Sequence, residues 1–106
     1  MSAHAVAVVL EKPMHLKVRE LPLVAPTAND LVVDIDWSGI STGTEKLLYS
    51  GRMPSFPGMG YPLVPGYETV GRVVQAGADT SYEVGETVFV PGAACFGVVR
   101  GPFGGA

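Results

Sequence analysis

The chain has 106 residues, 47% of them hydrophobic and 16% charged, which suits one small domain with an apolar core and excludes a disordered tail. Fourteen Gly and nine Pro leave no room for long helices, so a helical bundle or coiled coil is excluded. Seven Lys and Arg against ten Asp and Glu give a net charge of -3, with no basic stripe to neutralise the phosphates of a nucleic acid.

In chain order, Ala5-Val6-Ala7-Val8-Val9-Leu10 is a short apolar, largely β-branched run that Glu11-Lys12-Pro13 ends. Leu16 to Leu21 alternates apolar and charged residues, the pattern of a half-buried strand, and the two runs are predicted to pair as an antiparallel hairpin. Pro22 to Asp30 reads as a loop. Leu31 to Trp37 alternates again, with Leu31, Val33, Ile35 and Trp37 expected on one face and Asp34 and Asp36 on the other. Two carboxylates at that spacing with no His or Cys nearby read as a solvated face rather than an acid/base pair.

After Gly39, Thr42-Gly43-Thr44-Glu45 matches the capping box, so Thr42 is expected to cap a short helix that runs on through Lys46 to Ser50 and ends at Gly51. Met53 to Gly66 holds four prolines and three glycines and must be irregular, yet it carries Phe56, Met59, Tyr61 and Leu63. Tyr67 to Ala76 and Glu86 to Pro91 resume strand patterns around a turn at Gly77 to Glu83. The tally of five or six short strands and one helix predicts a mainly β, barrel-like domain. Cys95 is the only cysteine, which excludes an internal disulfide and a multi-cysteine zinc site. No apolar run approaches the roughly 20 residues that span a bilayer, and Met1 to His4 shows no basic leader, so a cytoplasmic protein is expected.

Two segments carry candidate chemistry: Ser38-Gly39-Ile40-Ser41-Thr42-Gly43-Thr44-Glu45 and Pro65-Gly66-Tyr67-Glu68-Thr69-Val70-Gly71-Arg72-Val73-Val74, the second followed by Val84-Gly85-Glu86-Thr87-Val88. In order and spacing they resemble the N-terminal, GroES-like catalytic domain of the medium-chain dehydrogenase/reductase superfamily. Ser38 to Tyr67 and Phe89 to Ala106 resemble in particular the bacteriochlorophyllide dehydrogenases, which oxidise the C3 hydroxyethyl group of the pigment ring to acetyl. The resemblance implies a partly open GroES-like β-barrel over residues 1–106, a truncated catalytic domain, with the nucleotide-binding Rossmann domain following it in the superfamily. Consistent with that, no Gly-x-Gly-x-x-Gly stands between a strand and a helix in these residues. NAD would be bound mainly by that further domain, and the 106 residues alone are expected to lack dehydrogenase activity.

The resemblance also assigns candidate residues. In zinc-dependent relatives the first motif supplies a Cys ligand and the second a His; here the Cys slot holds Ser41, or Thr42 if the extra residue is placed otherwise, the His slot holds Tyr67, and Glu68 is the one retained group able to bind a metal. Zinc held in the family's usual way is therefore not expected. Thr44 matches the hydroxyl that relays the substrate proton. Ser41, Thr44 and Tyr67 are then the candidate catalytic residues, hydrogen-bonding the reacting hydroxyl in place of a metal. Phe56, Met59 and Tyr61 are candidate contacts for a flat apolar bacteriochlorophyllide, with Arg52 facing a carboxylate on it; a loop packed on its own barrel and a solvated Arg52 are the structural alternatives. Rival functions are another zinc-poor alcohol dehydrogenase or quinone reductase, a co-chaperonin-like module, and a pigment-binding module without chemistry. NAD against NADP and a homo-oligomeric state stay open at this level.

Overall fold

The computed structural model describes residues 4–57 and 59–91. The tail after Pro91, with Cys95 and the glycine-bearing stretch from Gly97 to Gly105, lies outside the described residues. The expected hairpin forms: β1 (His4–Lys12) pairs antiparallel with β2 (His15–Pro22), Val8 opposite Val18 and Ala5 opposite Leu21. Pro13 and Met14 make the two-residue turn. Proline sets the first position, and Met14 takes a φ of 65°, a left-handed conformation that L side chains rarely adopt. The apolar face expected of β2 is only partly covered. Val9, Leu10 and Leu21 are buried, whereas Val6, Val8, Leu16 and Val18 are exposed.

A second sheet has the order β3-β4-β5, from β3 (Leu31–Ser38), β4 (Glu68–Ala76) and β5 (Thr87–Pro91), all antiparallel. Its register corrects the face assigned to β3. Val33 pairs with Val73, Asp34 with Arg72 and Ile35 with Gly71; the ladder then skips Asp36, and Trp37 pairs with Val70. Because side chains alternate with period two, one bulged residue reverses the face of everything after it. Leu31, Val33 and Ile35 keep one face, while Trp37 joins Asp34 and Arg72 on the other. Asp36 accepts a hydrogen bond from Arg72 Nε at 3.3 Å, a contact consistent with a solvated carboxylate.

Among the described residues there is one helix, α1 (Thr42–Ser50). Its cap is one residue earlier than the capping-box reading. Ser41 is the N-cap, with extended backbone (φ -86°, ψ 100°), and its hydroxyl bonds no backbone N–H. Glu45 thereby falls one position too late to reach back to the cap. The C-terminal end is as expected: Gly51 sits at φ 77°, its N–H donating to Leu48 O at 3.3 Å and that of Arg52 to Leu47 O at 2.9 Å, a Schellman closure.

The irregular stretch after α1 supplies core. Leu63 exchanges backbone hydrogen bonds with Leu10 (2.8 and 2.9 Å), and Leu10, Leu48 and Leu63 form a buried cluster on which Met53, Met59 and Tyr61 pack. No described helix is long and apolar enough to cross a membrane.

Candidate active site

The β3–β4 ladder brings the two motif segments together. Ser38 pairs with Thr69, and Gly39 N–H donates to Glu68 O at 2.9 Å. Ser41 therefore leaves the ladder two residues beyond Gly39, and Tyr67 enters it one residue before Glu68, at the same end of the sheet. A Cβ at Gly39 would lie 2.6 Å from Glu68 Oε1, so the Glu68 side chain lies against this backbone and would have to move to admit a larger residue.

Ser41 and Thr44 are brought into direct contact. Ser41 Oγ donates to Thr44 Oγ1 at 3.2 Å, in a partly buried position at the start of α1. The extended N-cap backbone makes this possible, because it turns the Ser41 side chain toward the third residue of the helix. Thr44, Glu45 and Leu48 share the inner face of the helix with Ser41, and Glu45 Oε2 is buried with no hydrogen-bond partner. Tyr67 and Glu68 are half-buried at the head of β4. A shallow hollow of about 290 Å³ lies beside them, lined by Gly39, Glu68, Val70, Trp37 and Phe89 among others. Trp37, Val70 and Phe89 stand in one cross-strand row on the outward sheet face, and Trp37 and Phe89 are 76% and 59% exposed. The sequence reading missed this row because Trp37 reaches it only through the bulge at Asp36.

The donor chemistry of the motif positions does not suit zinc. Ser41, Tyr67 and Glu68 offer one carboxylate and neither thiolate nor imidazole, and no group of three or more His, Cys, Asp or Glu converges among the described residues.

The loop candidates divide. Met59 and Tyr61 pack on the core, and the Tyr61 hydroxyl donates to the Leu48 carbonyl, so both hold the loop to α1. Phe56 remains on the surface, 39% exposed. Arg52 lies on the other side of the helix from Glu45 and Leu48. It shares a second hollow with Lys46, a residue the sequence reading passed over as an ordinary helix position.

Residues 27–103 match the alcohol dehydrogenase GroES-like domain, and the chain belongs to that family. Among the relatives it is similar to are two proteins named 2-desacetyl-2-hydroxyethyl bacteriochlorophyllide A dehydrogenase. The one from Cereibacter sphaeroides is 55% identical over 94% of this chain and 33% of its own length; the one from Rhodobacter capsulatus is 58% identical over 93% and 32%. A protein of Haemophilus influenzae named an uncharacterized zinc-type alcohol dehydrogenase-like protein is 34% identical over 86% of this chain and 26% of its own length. The chain thus spans between about a quarter and a third of the length of these relatives.

Proposed function

We propose that these residues form the substrate-side part of an oxidoreductase that converts the hydroxyethyl side chain of a bacteriochlorophyllide to acetyl, with NAD as acceptor bound by sequence beyond these 106 residues. The observation that carries the reading is the Ser41–Thr44 hydroxyl pair, held at 3.2 Å within a chain 55–58% identical to the two bacteriochlorophyllide dehydrogenases. The nicotinamide supplies the hydride acceptor.

The chain's own residues handle the proton. Oxidation of the alcohol breaks its C–H bond, the electron pair leaving with hydrogen as hydride, and its O–H bond, releasing a proton. Thr44 Oγ1 accepts that proton as its own passes to Ser41 Oγ and on to solvent. Both hydroxyls donate and accept, so rotation about their C–O bonds reverses the pair without moving the oxygens. Tyr67 donates to the alcohol oxygen and steadies the charge on it, a role a metal plays elsewhere in the family. Phe56 lies against the edge of the pigment ring.

The test is turnover of the hydroxyethyl pigment, followed by its absorption shift, in the chain extended by the sequence its longer relatives carry. Thr44→Val is expected to lower kcat about 10²-fold and Thr44→Ser to restore most of it. Unchanged kcat in Thr44→Val removes the proton route. Turnover of other alcohols but not of the pigment favours a different zinc-poor dehydrogenase. NAD-dependent turnover by the 106 residues alone overturns the placement of the nucleotide site.

A further inference from the structure

The outer side of α1 carries a hollow of about 500 Å³ that the chemistry above does not use. Its floor is apolar, made by Leu47 and Tyr49 of the helix and by Met14 of the hairpin turn. Lys46 and Arg52 stand at its rim. Both are exposed and neither has a carboxylate partner among the described residues, where Arg19 pairs with Glu11 and Arg72 with Asp36. Two unpaired cations beside an apolar floor, in a chain of net charge -3, describe a site for an anion with a greasy body.

The rim is held in place by backbone. The Schellman closure fixes the chain at Arg52 through its N–H to Leu47 O. Met14 N–H donates to Tyr49 O at 2.7 Å and Tyr49 Oη to Met14 O at 3.3 Å, which clamps the hairpin turn to the helix. Met14 occupies a position where glycine would be unstrained, and its side chain is part of the floor. Strain kept at a residue that lines a hollow points toward a use for that residue.

We propose that this hollow binds an apolar organic acid, its carboxylate between Lys46 and Arg52 and its body over Leu47, Tyr49 and Met14. Where the acid is the substrate itself, which rests on the function proposed above, α1 measures it. Thr44 and Leu47 are neighbours three residues apart on the helix surface. An acid anchored between Lys46 and Arg52 and lying over Leu47 reaches round the helix by one such neighbour step to bring its far edge to Thr44 on the inner face. The site then selects the free acid of the pigment over its ester.

The test uses the full chain, labelled with nitrogen-15, and two pairs of probes. The first pair is 2-naphthoate and the uncharged 2-naphthamide. Naphthoate is expected to shift the amides of Leu47, Ser50 and Arg52 saturably, and naphthamide to leave them unmoved at the same concentration. The Lys46→Gln/Arg52→Gln double variant, with an otherwise unchanged spectrum, is expected to bind naphthoate about tenfold more weakly. Met14→Gly is expected to weaken binding while its Tm holds or rises, which separates loss of the floor from loss of the fold. Equal shifts by acid and amide, or unchanged binding in the double variant, overturn the site. The second pair is pheophorbide a and its methyl ester. Tighter binding of the acid, abolished by the double variant, supports the ruler. If naphthoate binds at Lys46 and Arg52 but pheophorbide acid and ester bind alike, the organic-acid site stands and the ruler on the pigment falls. If the site behaves as expected while Thr44→Val keeps full turnover, the proton route alone is lost.

Discussion

The surroundings of α1 and the three-stranded sheet use apolar residues in opposite ways. Around the helix, an irregular segment rich in Pro and Gly delivers Leu63 to a sealed cluster with Leu10 and Leu48, and Met53, Met59 and Tyr61 close over it. In the sheet, hydrogen-bonded strands bury Val73 but leave Ile35 on one face and Trp37 and Phe89 on the other more than half exposed. Regular hydrogen bonding and burial are thus separable. The ladder satisfies the sheet's backbone, while apolar stabilisation concentrates where side chains meet from three directions. The residues proposed for substrate chemistry lie at the seam, Ser41 and Thr44 on the sealed helix and Tyr67 and Glu68 at the head of the sheet.

Substitutions can break or sharpen that contrast. The largest effect is expected for Leu48→Ala. It empties the middle of the sealed cluster and is expected to cost about 3 kcal/mol, read as a fall in the urea midpoint at unchanged m. A loss under about 1 kcal/mol would show the cluster to be as loose as the sheet face. Next comes Gly51→Ala, which forces an L side chain into the left-handed position of the Schellman closure. It is expected to cost about 1–2 kcal/mol and to loosen the amides of Gly51 and Arg52 in hydrogen exchange. Asp36→Asn removes one side of an exposed ion pair; thermal melts should show a loss of about 0.5 kcal/mol at low ionic strength and none in 1 M salt. The smallest change is expected for Trp37→Thr, within about 0.5 kcal/mol of the parent in the same melts, because most of that side chain already meets water. A destabilisation of Trp37→Thr comparable to that of Leu48→Ala would mean that the sheet face is covered in solution.

Much of the fold can be read from the residues. The hairpin, the three later strands, the helix and its end at Gly51 follow from alternation, breakers and a glycine at the helix end. What escaped has local causes. Whether Ser41 or Thr42 caps α1 depends on a one-residue choice between adjacent hydroxyls, and backbone angles rather than composition settle it. The face of Trp37 depends on whether β3 carries an extra residue, which no periodicity within β3 alone reveals, since Asp36 has a suitable residue type for either arrangement. The apolar loop from Met53 to Tyr61 reads equally as a ligand wall or as core. Contacts with Leu48 commit Met59 and Tyr61 to the fold and leave Phe56 outside. For the candidate site, Ser41 and Thr44 were recognisable as motif positions, but their mutual bond required the N-cap geometry. Lys46 carries no signal in sequence, because an exposed lysine on a helix is the ordinary case; it becomes notable only beside Arg52 and Met14.

The skipped residue at Asp36 sets a rule for insertions and deletions in this chain. Upstream of it, Leu31, Val33 and Ile35 belong to one phase of the pleat; downstream, Trp37 and the path into Ser41 belong to the other. Deleting one residue here does more than shorten a strand by about 3.3 Å. It moves Trp37 to the opposite face and changes the angle at which the chain enters the helix that carries Thr44. A one-residue deletion in β3 is therefore expected to disturb the site more than a substitution at an exposed position of the same strand.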